Sequence, residues 1–286
     1  MRRSPEVLAV IFDFDDTLAD DTTTALLTAH GMDPSAFWQA AQKLVEGGYD
    51  PGLAYLRLLL ENVGPGRPLG NLSNSDLCER GKLLDNLYYP GLKELLEDLR
   101  ATASERRDIG LEFYIISGGL QAIMAGSQFL RDNFTGVYGC QLDEDENGVV
   151  RHIKRCVTFT EKTRYLFEIH KGIPPTESAS NPYLVNRAVA QGDRRIPFEN
   201  IIYIGDGLTD IPCFSLVQNN GGLAFGVFKP DQPKSAKTAY LELLRPARVI
   251  SMNAPKYGAT DELGSLLRAA LAQRCSAIEL GRRVAE

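Results

Sequence analysis

Two acidic clusters in the sequence contain side chains that could hold a metal ion. The first, in the sequence DFDDT, contains Asp13 and Asp15, and the second, in GDGLTD, contains Asp206 and Asp210. Carboxylates held close together repel one another, so they must share either a cation or a proton. Oxygen ligands without histidine or cysteine favour Mg²⁺, which typically takes one or two carboxylates, waters and a substrate phosphate. The clusters therefore predict a Mg²⁺ site.

Two further positions carry donors that suit a phosphoryl group. Ser117 and the glycines Gly118 and Gly119 directly follow an apolar run, and we expect them at a strand-to-helix turn, where amides and a hydroxyl can approach an anion. Lys162 stands in the first turn of a predicted helix, where a cation opposes the helix dipole. Taken alone, Ser-Gly-Gly is also an ordinary turn and Lys162 an ordinary exposed lysine. Beside the acidic clusters, both suit the equatorial oxygens of a phosphoryl group.

Alternating strands and helices must position these side chains. Apolar runs without helical periodicity, typical of strands buried on both faces of a parallel sheet, occur at residues 7–12, 111–116, 200–204 and 223–228. Helical spacing occurs at residues 91–100, 121–133 and 160–170. The alternation predicts an α/β fold with a parallel sheet, in which ligands bind beyond the carboxyl ends of the strands.

The interval 20–88 has no strand-like run. Its apolar residues recur at helical spacing at residues 34–45, 52–63 and 76–87, separated by Gly/Pro-rich breaks. We predict a small α-helical domain at 20–88, inserted into a core domain formed by residues 1–19 and 89–286.

A second insertion, at residues 171–195, contains a Pro-Pro pair and a Ser/Asn-rich stretch. It is predicted to be a loop with one short helix around residues 184–190.

Composition excludes several classes of protein. The 286 residues carry a formal net charge of −6 and are 44% hydrophobic, an ordinary globular composition. The acidic excess makes polymeric nucleic acid a poor partner, although a free nucleotide stays open. The run at 7–12 is too short for a membrane span or a secretory signal, so we expect no membrane association and a cytoplasmic protein. Five scattered cysteines without a CxxC pair predict free thiols.

The order DxDxT, Ser, Lys, GDxxxD resembles the haloacid dehalogenase superfamily of phosphohydrolases. In this sequence the four motifs are residues 13–17, Ser117, Lys162, and Asp206 with Asp210. The resemblance spans residues 7 to about 214 and implies a Rossmann-like core with a helical cap of the type called C1. The glycines after Ser117 and the acidic, hairpin-like stretch at 141–150 are similar to the phosphoserine phosphatase-like branch.

The resemblance also implies the chemistry of the first acidic cluster. Asp13 would be the nucleophile that attacks phosphorus and forms an aspartyl-phosphate. Asp15 would protonate the leaving alcohol and later deprotonate the hydrolytic water. Mg²⁺ would be held by the side chains of Asp13 and Asp206 and by the backbone carbonyl of Asp15.

The remaining motif residues would serve the phosphoryl group and the metal site. Ser117, Gly118 and Lys162 would bind the transferring phosphoryl group, with Ser117 and Lys162 counted among the catalytic residues. Asp210 would support the metal site or orient Lys162, and Thr17 would shape the first turn.

The implied function is Mg²⁺-dependent hydrolysis of small-molecule phosphate monoesters. Alternatives on the same scaffold are phosphomutation and dehalogenation, but dehalogenases of this superfamily lack the acid at Asp15 and mutases tend to have an apolar residue at Thr17. A signalling receiver domain would place its acid pair and phosphate acceptor on separate strands. A catalytically silent phospho-ligand-binding protein also stays open.

Specificity is expected to lie in the predicted cap. Trp38, Tyr49, Tyr55 and Arg57 could contact a leaving group there, although packing or an amphipathic surface explains each of them equally well.

Overall fold

Residues 6–285, which the computed structural model describes, are built around one seven-stranded sheet. Its strands are β1 (Val7–Phe12), β2 (Gly110–Leu120), β3 (Gly136–Glu144), β4 (Val150–Arg155), β5 (Ile201–Gly205), β6 (Leu223–Val227) and β7 (Met252–Asn253). Their order is β4-β3-β2-β1-β5-β6-β7, and every neighbouring pair is parallel except β3 and β4. Helices cover both sides of the sheet, which confirms the predicted Rossmann-like α/β fold.

The central strand β1 explains where a site can form. Its residues from Leu8 onward are fully buried, as expected for an apolar strand with neighbours on both faces. Phe12, its last residue, pairs with Ile115 of β2 and Ile204 of β5. The chain segments that follow Phe12, Ile115 and Ile204 therefore lie side by side at one edge of the sheet.

Four α-helices lie in the predicted cap. They are α1 (Thr22–Ala29), α2 (Pro34–Glu46), α3 (Pro51–Glu61) and α4 (Asn74–Gly81), and the 3₁₀ helix Lys82–Asn86 follows α4. Each begins at a side chain that accepts a backbone N–H, namely Asp21, Asp33, Asp50 and Ser73. Helix α1 escaped prediction because it begins with three threonines, which are weak helix formers. The domain boundaries at 20 and 88 stay a prediction.

The remaining helices surround the sheet. They are α5 (Leu92–Ser104), α6 (Gln121–Gly126), α7 (Gln128–Asn133), α8 (Phe159–Lys171), α9 (Pro175–Ser180), α10 (Ile211–Asn219), α11 (Pro233–Thr238) and α12 (Glu262–Ala285). Short 3₁₀ helices occur at Pro182–Asn186, Gln191–Asp193, Phe198–Asn200 and Leu208–Asp210, and a π-helix at Ala239–Leu244. None of the helices within residues 6–285 has the length and apolar character needed to cross a membrane.

Two local predictions around the second strand were wrong. Ser117 to Gly119 do not form a strand-to-helix turn, since β2 continues to Leu120 with a register shift against β3 after Ile116. The predicted helix at 121–133 is broken at Ser127, which has an extended backbone and caps α7 by accepting from Leu130 N at 3.0 Å. A serine that can cap a new helix favours this break.

The short helix expected around 184–190 was also misplaced. Helical structure in the insertion lies earlier, in α9 and in the 3₁₀ helix Pro182–Asn186. The Asn181 side chain accepts from Tyr183 N at 3.1 Å and starts this second turn, which ends at the extended Arg187. Prolines at the start of both segments fix the backbone for a first turn. All five cysteines are free, as predicted.

A glycine-to-glycine contact joins α4 to α6. A Cβ atom on Gly126 would lie 1.9 Å from the carbonyl oxygen of Cys78 and 2.7 Å from the Cα of Gly81. Backbone can approach backbone this closely only where neither residue has a side chain. The contact fixes the end of the predicted cap against the core.

We expect Gly126→Ala to lower the free energy of unfolding by about 1–3 kcal/mol, because the added methyl group has no space beside the Cys78 carbonyl. Gly281→Ala in α12 is the matched control, since nothing lies within 4 Å of its Cβ position. Alanine should stabilise that helix by up to about 1 kcal/mol. Denaturant titrations of both variants measure the difference, and equal effects would contradict the close contact.

Candidate active site

Neighbouring strands bring the first and last acidic clusters together. Asp13 follows β1 directly, and its backbone N–H donates to the carbonyl of Ile204 in β5 at 2.8 Å. Asp206 follows β5 directly. Carboxylate oxygens of Asp13, Asp206 and Asp210 all lie within 4.8 Å of one another. The sheet therefore gathers in one place carboxyl groups nearly 200 residues apart in the chain.

Lys162 lies between two of these carboxylates. Its Nζ is 3.0 Å from Asp13 Oδ1 and 2.7 Å from Asp210 Oδ1, and only 1% of its side chain is exposed. Burial alone would lower the pKa of Lys162, but Asp13 and Asp210 raise it above its usual value, so the ammonium group stays charged. The reading of Lys162 alone as an exposed lysine is wrong, because its partners come from distant segments.

Both carboxylate oxygens of Asp210 accept hydrogen bonds. Besides Lys162, its Oδ1 accepts from the Tyr203 hydroxyl at 2.7 Å, and its Oδ2 accepts from Gly207 N at 3.1 Å. The carboxylate is fully buried. Because these donors occupy both oxygens, Asp210 is better suited to orient Lys162 than to bind a metal ion directly.

Asp13 is paired with Lys162 through one oxygen. Its Oδ1 is buried, lies 3.0 Å from the ammonium group of Lys162 and has no other hydrogen-bond partner within residues 6–285. Burial raises the pKa of Asp13 to about 6, although the positive charge of Lys162 opposes this effect. The pKa of Asp206 is also raised, mainly by burial and next by the negative charge of Asp13. Three carboxyl groups beside one ammonium group form a set of hard oxygen donors, which fits Mg²⁺.

The Asp15 carboxylate lies outside this acidic cluster. Its Oδ1 accepts from the backbone N–H of Thr22 at 2.7 Å and from the Thr22 hydroxyl at 2.8 Å, at the start of α1. Its Oδ2 lies where a side chain on Gly119 would be, 2.2 Å from the Cβ position. Burial, and next the neighbouring Asp21, raise the pKa of Asp15 well above its usual value. The first turn of α1 thus holds a carboxyl group that favours keeping its proton.

Ser117 and Gly118, which belong to β2, line a pocket together with Asp13, Lys162 and Asp206. Ser117 is 1% exposed, and its hydroxyl accepts from Gly119 N at 2.9 Å. The Gly118 carbonyl accepts from the Tyr55 hydroxyl at 2.7 Å, which ties α3 of the predicted cap to this strand. The predicted phosphate-binding residues therefore lie beside the acidic cluster, although on a strand rather than in a turn.

Thr17 is fully buried and does not line the pocket. Its hydroxyl is buried without a hydrogen-bond partner in the described chain, and its carbonyl accepts from the Tyr257 hydroxyl at 2.7 Å. The preceding residue, Asp16, has φ +59° and pairs with Lys229 at 2.6 Å. This left-handed residue turns the chain sharply after Asp15, and Thr17 lies in the turn.

The cap contributes one wall of the pocket, which has a volume of about 230 Å³. Trp38 and Tyr55, two of the four expected residues, line it. The other two do not, because Arg57 donates to the Tyr49 hydroxyl at 2.5 Å and to Glu61 at 2.8 Å on the exposed surface of α3. The sequence alone did not show which of these four side chains face the pocket.

Several residues that shape the site were not predicted. Tyr203 holds Asp210, Thr22 holds Asp15, and Asp21 lines the cap wall. Tyr203 had a readable signal, since it brings a hydroxyl group into an otherwise aliphatic strand. Asp21 and Thr22 follow the acidic cluster at 13–17, and no recognisable motif includes them.

Comparison of the sequence with known proteins finds one similar protein of uncharacterized function, and no family model matches the chain. An uncharacterized protein from Borreliella burgdorferi is 27% identical over 243 residues, covering 77% of this chain and 81% of that protein.

Two solved structures are similar to this one. A HAD family hydrolase from Salmonella enterica serovar Typhi superposes with a TM-score of 0.51 at 20% identity, covering 83% of this chain and 66% of the hydrolase. The chain thus spans just under two thirds of that protein's length. A phosphoserine phosphatase, solved as an analogue of its phospho-aspartyl intermediate, superposes with a TM-score of 0.54 at 15% identity, covering 92% and 99%. The chain shares their fold.

We expect Mg²⁺ to raise the melting temperature, and to do so more at about pH 7.5 than at about pH 5. At the lower pH a proton occupies Asp13, whose pKa is raised to about 6, and competes with the metal ion. Without metal, the same raised pKa stabilises the fold below about pH 4, and this contribution is lost as the pH rises through about 6.

Thermal unfolding with and without MgCl₂ at the two pH values measures this difference. Asp206→Asn keeps the shape of the side chain and removes one proposed ligand, so its Mg²⁺-induced shift should be smaller. An undiminished shift in this variant would rule out Asp206 as a ligand.

Proposed function

We propose that this protein is a Mg²⁺-dependent phosphatase that hydrolyses small-molecule phosphate monoesters. The observation that carries the proposal is the buried Lys162, held 3.0 Å from Asp13 and 2.7 Å from Asp210 at the carboxyl edge of the sheet. A cation beside a carboxylate nucleophile and a hard-ligand metal site is what transfer of a phosphoryl dianion needs. The likeness in fold to phosphoserine phosphatase supports the same reaction class.

Asp13 is the proposed nucleophile. One of its oxygens would attack phosphorus in line, with an aspartyl-phosphate formed and the ester oxygen released. Lys162 and the Ser117 hydroxyl would bind the phosphoryl oxygens and offset their charge, which develops beside an already negative carboxylate. Asp210 and Tyr203 would keep the ammonium group in place.

Asp15 is the proposed general acid and base. Its raised pKa favours the protonated form that can donate to the leaving alcohol. Once it has given up that proton, the same carboxylate can accept one from the water that hydrolyses the aspartyl-phosphate. The two hydrogen bonds from Thr22 fix its Oδ1, so that Oδ2 is left for proton transfer.

Asp13, Asp206 and the backbone carbonyl of Asp15 would hold the metal ion. When bound, Mg²⁺ supplies positive charge that allows a phosphate dianion to approach the carboxylates. Asp210 contributes through Lys162, because both of its oxygens already accept hydrogen bonds.

Asp13→Asn should abolish hydrolysis of p-nitrophenyl phosphate, with kcat reduced on the order of 10³-fold or more, because the amide is a poor nucleophile. Wild-type turnover should also stop when Mg²⁺ is chelated. Asp33→Asn is the matched control: Asp33 is an exposed helix cap and asparagine caps equally well. A folded Asp13→Asn variant with full activity would refute the nucleophile assignment.

Asp15→Asn should separate the two halves of the reaction. The p-nitrophenolate ion needs no proton to leave, so we expect a burst of about one equivalent per enzyme. Steady turnover should then be about 10²- to 10⁴-fold slower than in the wild type, because water has lost its general base. Rapid-mixing absorbance measures the burst. Steady turnover at the wild-type rate would contradict the role of Asp15.

A further inference from the structure

The wall that the cap adds to the pocket is acidic and aromatic. It consists of Asp21, Thr23, Trp38 and Tyr55. The rings of Trp38 and Tyr55 lie 5.8 Å apart at 47°, so the two aromatic side chains adjoin one another. Aromatic faces together with a carboxylate are the usual means of binding an ammonium group.

Positive charge is scarce in the pocket. Among the described residues that line it, five are aspartates and Lys162 is the single basic side chain. Lys162 is already paired with Asp13 and Asp210, and Lys229 near the rim is paired with Asp16 and Asp20. A carboxylate or second phosphate on the leaving group would therefore meet negative charge without a free cation to pair with.

Asp21 is the acidic residue that the predicted cap contributes to the pocket. Like Asp15 and Asp206, it forms no ion pair within residues 6–285. It is held rigidly, since it caps α1 by accepting from Thr24 N. The Thr24 hydroxyl in turn accepts from Trp38 Nε1 at 2.8 Å. One residue thus fixes both the carboxylate and the aromatic ring.

We infer that the substrate is the phosphate monoester of an amino alcohol, with its ammonium group bound by Asp21 beside Trp38 and Tyr55. This inference rests on the proposed phosphatase function and adds the class of leaving group. The small pocket suits such a compound, because its volume lies below the range typical of sites for drug-sized ligands. Phosphoserine carries an additional carboxylate and is disfavoured by the same wall.

Three esters of similar size test the inference in the presence of Mg²⁺. Ethanolamine phosphate carries the ammonium group, propyl phosphate replaces it with a methyl group, and phosphoserine adds a carboxylate. The ratio of kcat/KM for ethanolamine phosphate to that for propyl phosphate should be about tenfold or more, as expected for one cation bound by a carboxylate and aromatic rings. Phosphoserine should be a poorer substrate than ethanolamine phosphate.

Variants separate recognition from chemistry. Asp21→Asn keeps the helix cap and removes the charge, so it should lower the ratio about fivefold or more, mainly through KM. Any effect of Asp21 on Asp15, and any difference in acidity between the alcohols, cancels when the ratios of wild type and variant are compared. Asp33→Asn, an equivalent cap outside the pocket, should leave the ratio unchanged. Trp38→Leu should also lower it and serves as a second, independent variant.

The results distinguish the inference about the substrate from the proposed phosphatase function. A high ratio that falls in Asp21→Asn and in Trp38→Leu supports the inference. Hydrolysis of all three esters without preference, or a preference for phosphoserine, overturns the inference and leaves the phosphatase intact. If neither these esters nor p-nitrophenyl phosphate is hydrolysed, the proposed function itself is wrong.

Discussion

The site depends on one buried interaction, the ammonium group of Lys162 between the carboxylates of Asp13 and Asp210. Charges removed from water are costly unless they are paired, and breaking such a pair typically costs about 3–5 kcal/mol. Strand β1, helix α8 and the turn after β5 must therefore meet at one place for the chain to fold. The same requirement fixes the positions of the groups proposed to bind phosphate, so that stability and chemistry share one constraint.

The two sides of the pocket are built differently. The core side uses the ends of strands, whose positions are set by a hydrogen-bonded ladder, and it holds the proposed reaction chemistry. The cap side uses the first turn of α1, where Asp21 caps the helix and Thr22 binds the carboxyl group of Asp15. A helix start offers unpaired N–H groups that need acceptors, so it orients carboxyl groups without additional elements. The predicted cap thereby supplies both the wall proposed to contact a leaving group and the support for the proposed acid.

Much of the framework was predictable because its signals are local. The run 7–12 matches β1 residue for residue, and the helices at 34–45 and 160–170 agree with α2 and α8 to within one residue. Strands β3 and β4 were predicted only in part, as the hairpin-like stretch at 141–150. Glycines and acids interrupt the apolar pattern of β3, and β4 has basic and partly exposed positions, which is a weak pattern for a buried strand. The break at Ser127 depends on Asp85 and Tyr88, which hold its hydroxyl from the opposite side.

The sequence by itself determined the alternation of the main strands with helices and the types of the reactive groups, because apolar periodicity and motif spacing are properties of neighbouring residues. Tertiary structure alone decided that Lys162 is buried, that the Tyr203 hydroxyl donates to Asp210, and that Trp38 and Tyr55 face the pocket while Tyr49 and Arg57 face water. Burial and pairing are set by segments far apart in the chain. No local pattern records which of them meet, since their contacts exist only once the sheet has brought the strand ends together.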